Sequence, residues 1–285
     1  MVTRARGRMM DITNIEATIR LAEAASKRRD WAAAIRYWQT ILDYQGSRAP
    51  KRVRVRLSQA HQALNSAEAL ARNRLIFRAL AEVHKVIWVN PEDILRKLSE
   101  RVDLTLYPGA ILEGDWDLQS SAIADSPKHR SIVRHFVEGV AWEDTELLRK
   151  HHLKRLARGE PVRGCKSIAE LKRQYQETID PLFTDMKERG FVLPEDASRY
   201  VKYIPHVHIG RTGDILYGRR GNHRLSIAKI LGLQRFPCMV HTRHTEWQGL
   251  REKVLNRTLD DVHTLLDPKL VRHPDMADLI ATPLE

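Results

Sequence analysis

Residues 218–224 read Gly-Arg-Arg-Gly-Asn-His-Arg and run directly into a segment, Leu225 to Leu231, whose apolar positions recur at helical spacing. Arginine carries a permanent charge on a planar fork that matches the oxygens of a phosphate. A helix start adds backbone N–H groups without intrahelical acceptors and the positive end of the helix dipole. Together these residue types predict an anion seat. In it Gly221 allows close approach to the backbone, Asn222 and His223 supply donors, Arg224 grips two oxygens, and Arg219 and Arg220 add charge from the loop. The same run also suits an ordinary basic turn in which His223 and Arg224 are cap and surface residues.

Phosphoryl chemistry further needs a carboxylate to hold a metal or to take a proton from an acceptor hydroxyl. The stretch "EGDWD" supplies Glu113, Asp115 and Asp117, which share one face if the segment is a strand, and Asp115 and Asp117 are the candidate catalytic residues. The alternative is a polar turn plugged by Trp116. Asp214 reads as a turn residue, and Glu143, Asp144 and Glu146 as the acidic start of a helix. His206 and His208 share a strand face at period two, with His241 and His244 on the next strand. A His-x-His pair can hold a transition metal, but no third ligand is evident, so these histidines read as solvent-facing and no metal site is expected. Cys165 and Cys238 form no C-x-x-C pair, which fits a reducing compartment.

The elements that must position these residues fall into two textures. From Asp11 to Val89 the pattern predicts helices, with a turn at Arg29-Asp30, a third helix opened by Pro50 and a fourth over residues 67–88. Leu21, Ala24 and Asp30 recur as Leu57, Ala60 and Ser66, so this stretch resembles a tetratricopeptide-like helical hairpin, and equally a plain antiparallel bundle. A short helix follows Asn90-Pro91 as far as Ser99, and a Pro-Gly turn introduces strand or loop structure over residues 102–117. Three helical segments come next, the last opened by a Ser167/Glu170 capping box, kinked at Pro181 and closed by Gly190. The final third predicts strand, turn, strand, loop, helix ended by Gly232, strand and helix, then a loosely held tail. The fold class is α+β: N-terminal helical hairpins or a bundle over residues 1–90, a mixed α/β domain over 91–260 and a C-terminal tail over 261–285.

The run "ILYGRRGNHRLSIAKILGLQRFPCMV" resembles the ParB/sulfiredoxin superfamily, in which a strand enters a Gly-x-(His/Arg)-Arg loop, then a helix, a Leu-Gly turn and a further strand. The corresponding residues here are Gly221, His223, Arg224, Leu231, Gly232 and "FPCMV", within residues 200 to 245. The resemblance implies a ParB/sulfiredoxin-like domain with a nucleotide on Gly221, Asn222, His223 and Arg224, as in CTP-binding partition proteins, ATP-dependent sulfinic acid reductases and free-amino-acid kinases. The chain departs from the pattern where sulfiredoxins carry a catalytic cysteine, here Asn222, and where many relatives carry an aspartate, here Arg220. The partition proteins' Gly-Glu-Arg-Arg is absent.

A net charge of +12 favours anionic partners. No run of 18 apolar residues occurs and no apolar segment follows the basic N-terminus, so a cytoplasmic chain without a membrane span is expected. The expectation is a nucleotide-binding protein using ATP or another NTP with Mg2+, either an ATP-dependent phosphotransferase or a nucleotide hydrolase with an unidentified acceptor. Two rivals remain: a nucleic-acid-binding protein using the same basic loop, and a non-catalytic adaptor whose N-terminal helices dock a protein partner.

Overall fold

The computed structural model describes residues 12–46, 49–83, 85–99, 108–193, 204–256 and 272–280. The chain forms two compact units, residues 1–76 and 77–285, and the architecture is α+β, helical first and strand-containing second. In the first unit α1 (Ile12–Lys27) and α2 (Trp31–Gln45) form an antiparallel hairpin. Its turn is built as the residues dictate: Arg29 takes a left-handed φ of 60°, and the Asp30 carboxylate accepts the Ala33 N–H at 3.1 Å. Helix α3 (Lys51–Ile76) packs on α2, and Ala22, Ala34, Trp38, Ile41, Val53 and Ala60 form the core. Ser66 lies inside this unbroken helix, so the expected third and fourth helices are one element and the recurrence at Ser66 marks no second turn.

The second unit is built on a seven-stranded mixed sheet: β1 (Val86–Val89), β2 (Arg96–Leu98), β3 (Ala110–Leu112), β4 (Ser120–Ala122), β5 (His206–Ile209), β6 (Ile215–Tyr217) and β7 (Phe236–His244). The spatial order is β1-β7-β5-β6-β2-β4, with β3 also pairing β7. Two expectations fail at its start. Residues 86–89, read as helix, pair antiparallel with β7. The helix expected after Pro91 is a single tight turn, Pro91–Asp93, capped by Asn90, and the chain then enters β2. Val86–Val89 is a short apolar run with no helical period of its own and Arg96–Leu98 is too short to show one, so sheet pairing decides the state of both.

Among the described residues this unit also holds helices α4 (Pro127–Phe136), α5 (Leu153–Ala157), α6 (Ile168–Thr178), α7 (Asp180–Arg189), α8 (Asn222–Ile230) and α9 (Thr245–Leu255), with a π-helical turn at Leu147–His152 and a short α10 (Ala277–Ile280). The Ser167 hydroxyl accepts the Glu170 N–H at 3.2 Å as expected, and the expected kink falls two residues before Pro181, at Ile179, a single interruption that keeps right-handed backbone. Val207, Ile209, Tyr217, Leu225, Ile227, Phe236 and Val240 share one buried cluster, so α8 is held against the sheet by its own apolar face. No helix among the described residues is long and apolar enough to cross a membrane.

The expected loose tail is partly wrong, since Asp275 and Met276 are fully buried. The Asp275 carboxylate accepts from Arg243 at 2.8 and 2.5 Å and from the Trp247 indole at 2.9 Å. Lys85 and Arg251 donate to its backbone carbonyl, and Arg251 and Lys85 also pair with Asp278, each at 2.7 Å. Burial alone would raise the Asp275 pKa, but the attraction of Arg243, Arg251 and Lys85 outweighs it and holds the carboxyl well below the ordinary carboxylate range. A depressed folded pKa contributes stability that is present above the unfolded value and is lost as pH falls toward the folded one. Asp275→Asn therefore leaves buried guanidinium charge uncompensated, at a cost of about 3–5 kcal/mol at pH 7. Urea denaturation of both proteins checks this: the gap should be full at pH 7 and should narrow as pH drops below about 4, where Asp275 of the unfolded chain begins to protonate while the folded carboxylate stays ionised.

Candidate anion-binding site

Strand β6 delivers the loop. The Tyr217 hydroxyl donates to the Arg220 carbonyl at 2.6 Å, while the Gly218 N–H donates to His206 and the His206 N–H to the Arg219 carbonyl, each at 2.9 Å. These bonds fold the chain back so that Arg220 and Gly221 are both left-handed, at φ 66° and 62°, immediately before α8. Left-handed backbone at an arginine costs about 1–3 kcal/mol and concentrates at functional sites. The N-cap of α8 is Gly221, which has no side chain with which to accept the first N–H groups of the helix.

At Gly221 a Cβ would lie 2.5 Å from Pro205 Cγ, so the backbone turn and close packing on Pro205 by themselves require the glycine. Gly218 is constrained similarly, because a Cβ would lie 2.3 Å from the His208 ring nitrogen Nε2.

The loop opens on a cavity of about 550 Å³ lined by Lys97, Lys128, Arg219, Arg220, Asn222 and His223, with Tyr217 and Gly218 beneath. Two of these cations come from elsewhere in the sequence. Lys97 is brought in by parallel pairing of β2 with β6, in register with Tyr217. Lys128 opens α4, which packs on α8 and is tied to it by His129 Nδ1 and the Ser226 hydroxyl at 3.0 Å. Four cationic side chains and no carboxylate line the cavity among the described residues. Burial pushes the His223 pKa down to about 3, with Lys128, Arg163 and Arg224 adding to the effect, so this imidazole is neutral at pH 7. Arg224 lies in the first turn of α8 and is not part of the lining.

Asp115 and Asp117 are not brought to the loop. Residues 113–119 form a turn with Trp116 buried, so the strand alternation that would have aligned Glu113, Asp115 and Asp117 does not occur. Arg211 binds Asp117 through its backbone N–H at 2.9 Å and its guanidinium at 2.8 Å, and also Asp115 at 2.8 Å. Arg211 lies in the β5–β6 turn, so the three residues of β6, about 10 Å at ~3.3 Å per residue, separate it from Gly218. Asp214 accepts the Thr212 hydroxyl at 2.6 Å within that turn, and Glu143 and Glu146 are engaged by Lys172 and Arg130.

The histidines also differ from expectation. His208 is only 6% exposed, and His244 is buried as the cap of α9, accepting the Glu246 N–H at 3.1 Å on Nδ1 and donating from Nε2 to Gly114 at 2.9 Å. A register shift between β5 and β7 inserts an extra residue at His241, and its ring stacks on His206 at 4.9 Å. No group of His, Cys, Asp and Glu among the described residues could hold a metal ion, and both cysteines are buried and free.

The loop geometry generates a prediction that separates shape from charge. Gly221→Ala places a side chain at left-handed φ against Pro205 and should lower Tm by about 3–8 °C, taking 1 kcal/mol as about 2–4 °C for a domain of this size. Arg219→Ala should leave Tm within about 1 °C, as scanning calorimetry will read, because it removes only a cavity-lining charge. A scan against protein-family models and searches of curated proteins and of solved structures match nothing to this chain.

Proposed function

We propose that this protein binds a nucleotide, ATP or another NTP, by its phosphates at residues 219–223. One observation carries the reading: the left-handed Arg220-Gly221 turn sets the uncapped start of α8 at a cavity whose lining holds four cations and no described carboxylate. Charge-assisted bonds from arginine and lysine, together with helix N–H groups, are what a phosphate group requires. The likeness of residues 200 to 245 to ParB/sulfiredoxin-like domains supports the same reading. The lining does not fit a protein-held Mg2+, since it offers no described carboxylate, so magnesium would enter only as the counter-ion of the nucleotide.

Phosphoryl transfer to an acceptor, or hydrolysis, extends the proposal. Either reaction would draw on the loop for positioning and charge stabilisation. A general base at Asp115 or Asp117 would first have to leave Arg211, which makes binding the better-supported half of the reading. A second reading, docking of a protein partner, has its own observation in the helical unit. A cavity of about 500 Å³ there is lined by Trp31, Trp38, Lys27 and Arg56, and the Trp38 indole N–H has no described acceptor.

Thermal-shift measurement with ATP, CTP and GTP, with and without magnesium, tests the proposal. Saturation at a hundred times Kd stabilises by about 2.7 kcal/mol. Arg220→Ala and Lys128→Ala should each weaken binding about tenfold to a hundredfold, the worth of one charge-assisted bond. Lys229→Ala, whose ammonium lies 3.5 Å from Glu92 further along α8, should change it less than twofold. Absence of any nucleotide effect alongside steeply salt-dependent DNA binding would transfer the loop to nucleic acid.

A further inference from the structure

Behind the loop, two imidazoles stand in an arrangement that the loop alone does not require. His223 Nε2 and His152 Nε2 are both buried and without a hydrogen-bond partner among the described residues. They are 71 positions apart in sequence, yet the π-helical turn that His152 closes packs against α4, which carries Lys128, and against α6, which carries Tyr175, the ring that meets His223. Leaving one such atom unpaired costs about 1–3 kcal/mol, so two at one place call for a common partner.

The surroundings fix the sign of that partner. Lys128, from α4, and Arg163, from the turn before α6, act on both rings; Arg224 acts on His223, and Arg155 and His151 act on His152. Lys128, Arg163 and Arg224 are cations, which repel a metal ion and attract an anion, whereas Arg155 is paired with Glu160 at 3.1 Å and His151 lies 3.9 Å from Glu146. Local backbone is shaped around the same spot. His152 closes the π-helical turn Leu147–His152, a feature frequent at functional sites. Arg163 is held at a left-handed φ of 53°, its guanidinium 5.2 Å from the Tyr175 ring centre, and that ring meets His223 edge-on at 5.7 Å. Lys128 and His223 also line the loop cavity, so this cluster is continuous with it.

We infer that His152 and His223, with Lys128 and Arg163, form a second anion subsite that takes the next phosphate group of a ligand carrying at least two linked phosphates, an inference that rests on the loop reading. The two rings present N–H donors, the lysine and arginine supply charge, and the loop holds the preceding phosphate. Burial with surrounding positive charge pushes the free-state pKa values down, to about 4 for His152 and about 3 for His223. A bound polyanion favours the protonated rings and must raise both, so binding takes up protons and strengthens as pH falls.

Inorganic pyrophosphate, without magnesium and with the full chain, is the probe. Calorimetry should show His152→Phe, which keeps the ring volume and removes the donor, weakening pyrophosphate binding about tenfold. Imidazole NMR of the wild type should show pyrophosphate raising the titration midpoints of both histidines. That readout needs no variant, and His152→Gln, which retains an N–H donor, should recover part of the affinity if the phenylalanine protein folds poorly. If Arg220→Ala weakens pyrophosphate binding while His152→Phe binds as wild type and neither midpoint moves, the subsite is overturned and the loop reading stands. If the wild type binds neither pyrophosphate nor any nucleotide, the loop reading itself falls and the subsite falls with it.

Discussion

The β-sheet unit depends on how it houses one buried carboxylate. Asp275 is reached by Lys85 before β1, Arg243 on β7, and Trp247 and Arg251 on α9, so segments 190 positions apart meet at one residue. Buried guanidinium groups are tolerable only when a carboxylate neutralises them, and β7 is the strand to which β1, β3 and β5 all pair. Fixing Arg243 therefore anchors the strand that pairs with β5, and β5 in turn pairs with β6, which ends at the loop. Part of the +12 charge is thereby spent on architecture. Arg243 is 2% exposed, with its charge met by Asp275.

The cationic residues that remain at the loop have a different logic. Arg243 and Arg251 are closed against carboxylates, whereas Lys97, Lys128, Arg219 and Arg220 line a cavity without a described carboxylate. Concentrating like charge in a cleft raises the local concentration of anions and strengthens their binding once water is displaced. Arg211 marks the contrast at the other end of β6. It is saturated by Asp115 and Asp117, so the same residue type is structural there. Its partners also differ: the Asp117 side chain is 5% exposed and that of Asp115 is 76% exposed, which leaves Asp117 as the one that anchors the turn.

What the sequence disclosed was local. The Asp30 cap, the Ser167–Glu170 box, the Gly190 stop and the loop-to-helix step at Gly221 each depend on neighbours within four residues, and each has the expected form. What it concealed was set by pairing across the chain. Residues 86–89 adjoin a helical pattern and become a strand only because β7 is there to receive them. Lys97 and Lys128 carry no motif of their own, and parallel pairing and helix packing bring them to the loop. Gly221 was legible in part for the same reason: the sequence marks the glycine but not Pro205, the neighbour its missing side chain accommodates.

The loop is also a balance between strain and restraint. Two consecutive left-handed residues, one of them arginine, would relax in an isolated peptide, so something must hold them. The Tyr217 hydroxyl on the Arg220 carbonyl, the ladder bond from His206 to the Arg219 carbonyl and the seat of Gly221 on Pro205 do so from three directions. Because burial raises the Tyr217 pKa, the phenol keeps its proton and goes on donating throughout the neutral range. The turn is thus held in its strained form by the sheet itself, and its shape does not depend on a ligand to order it.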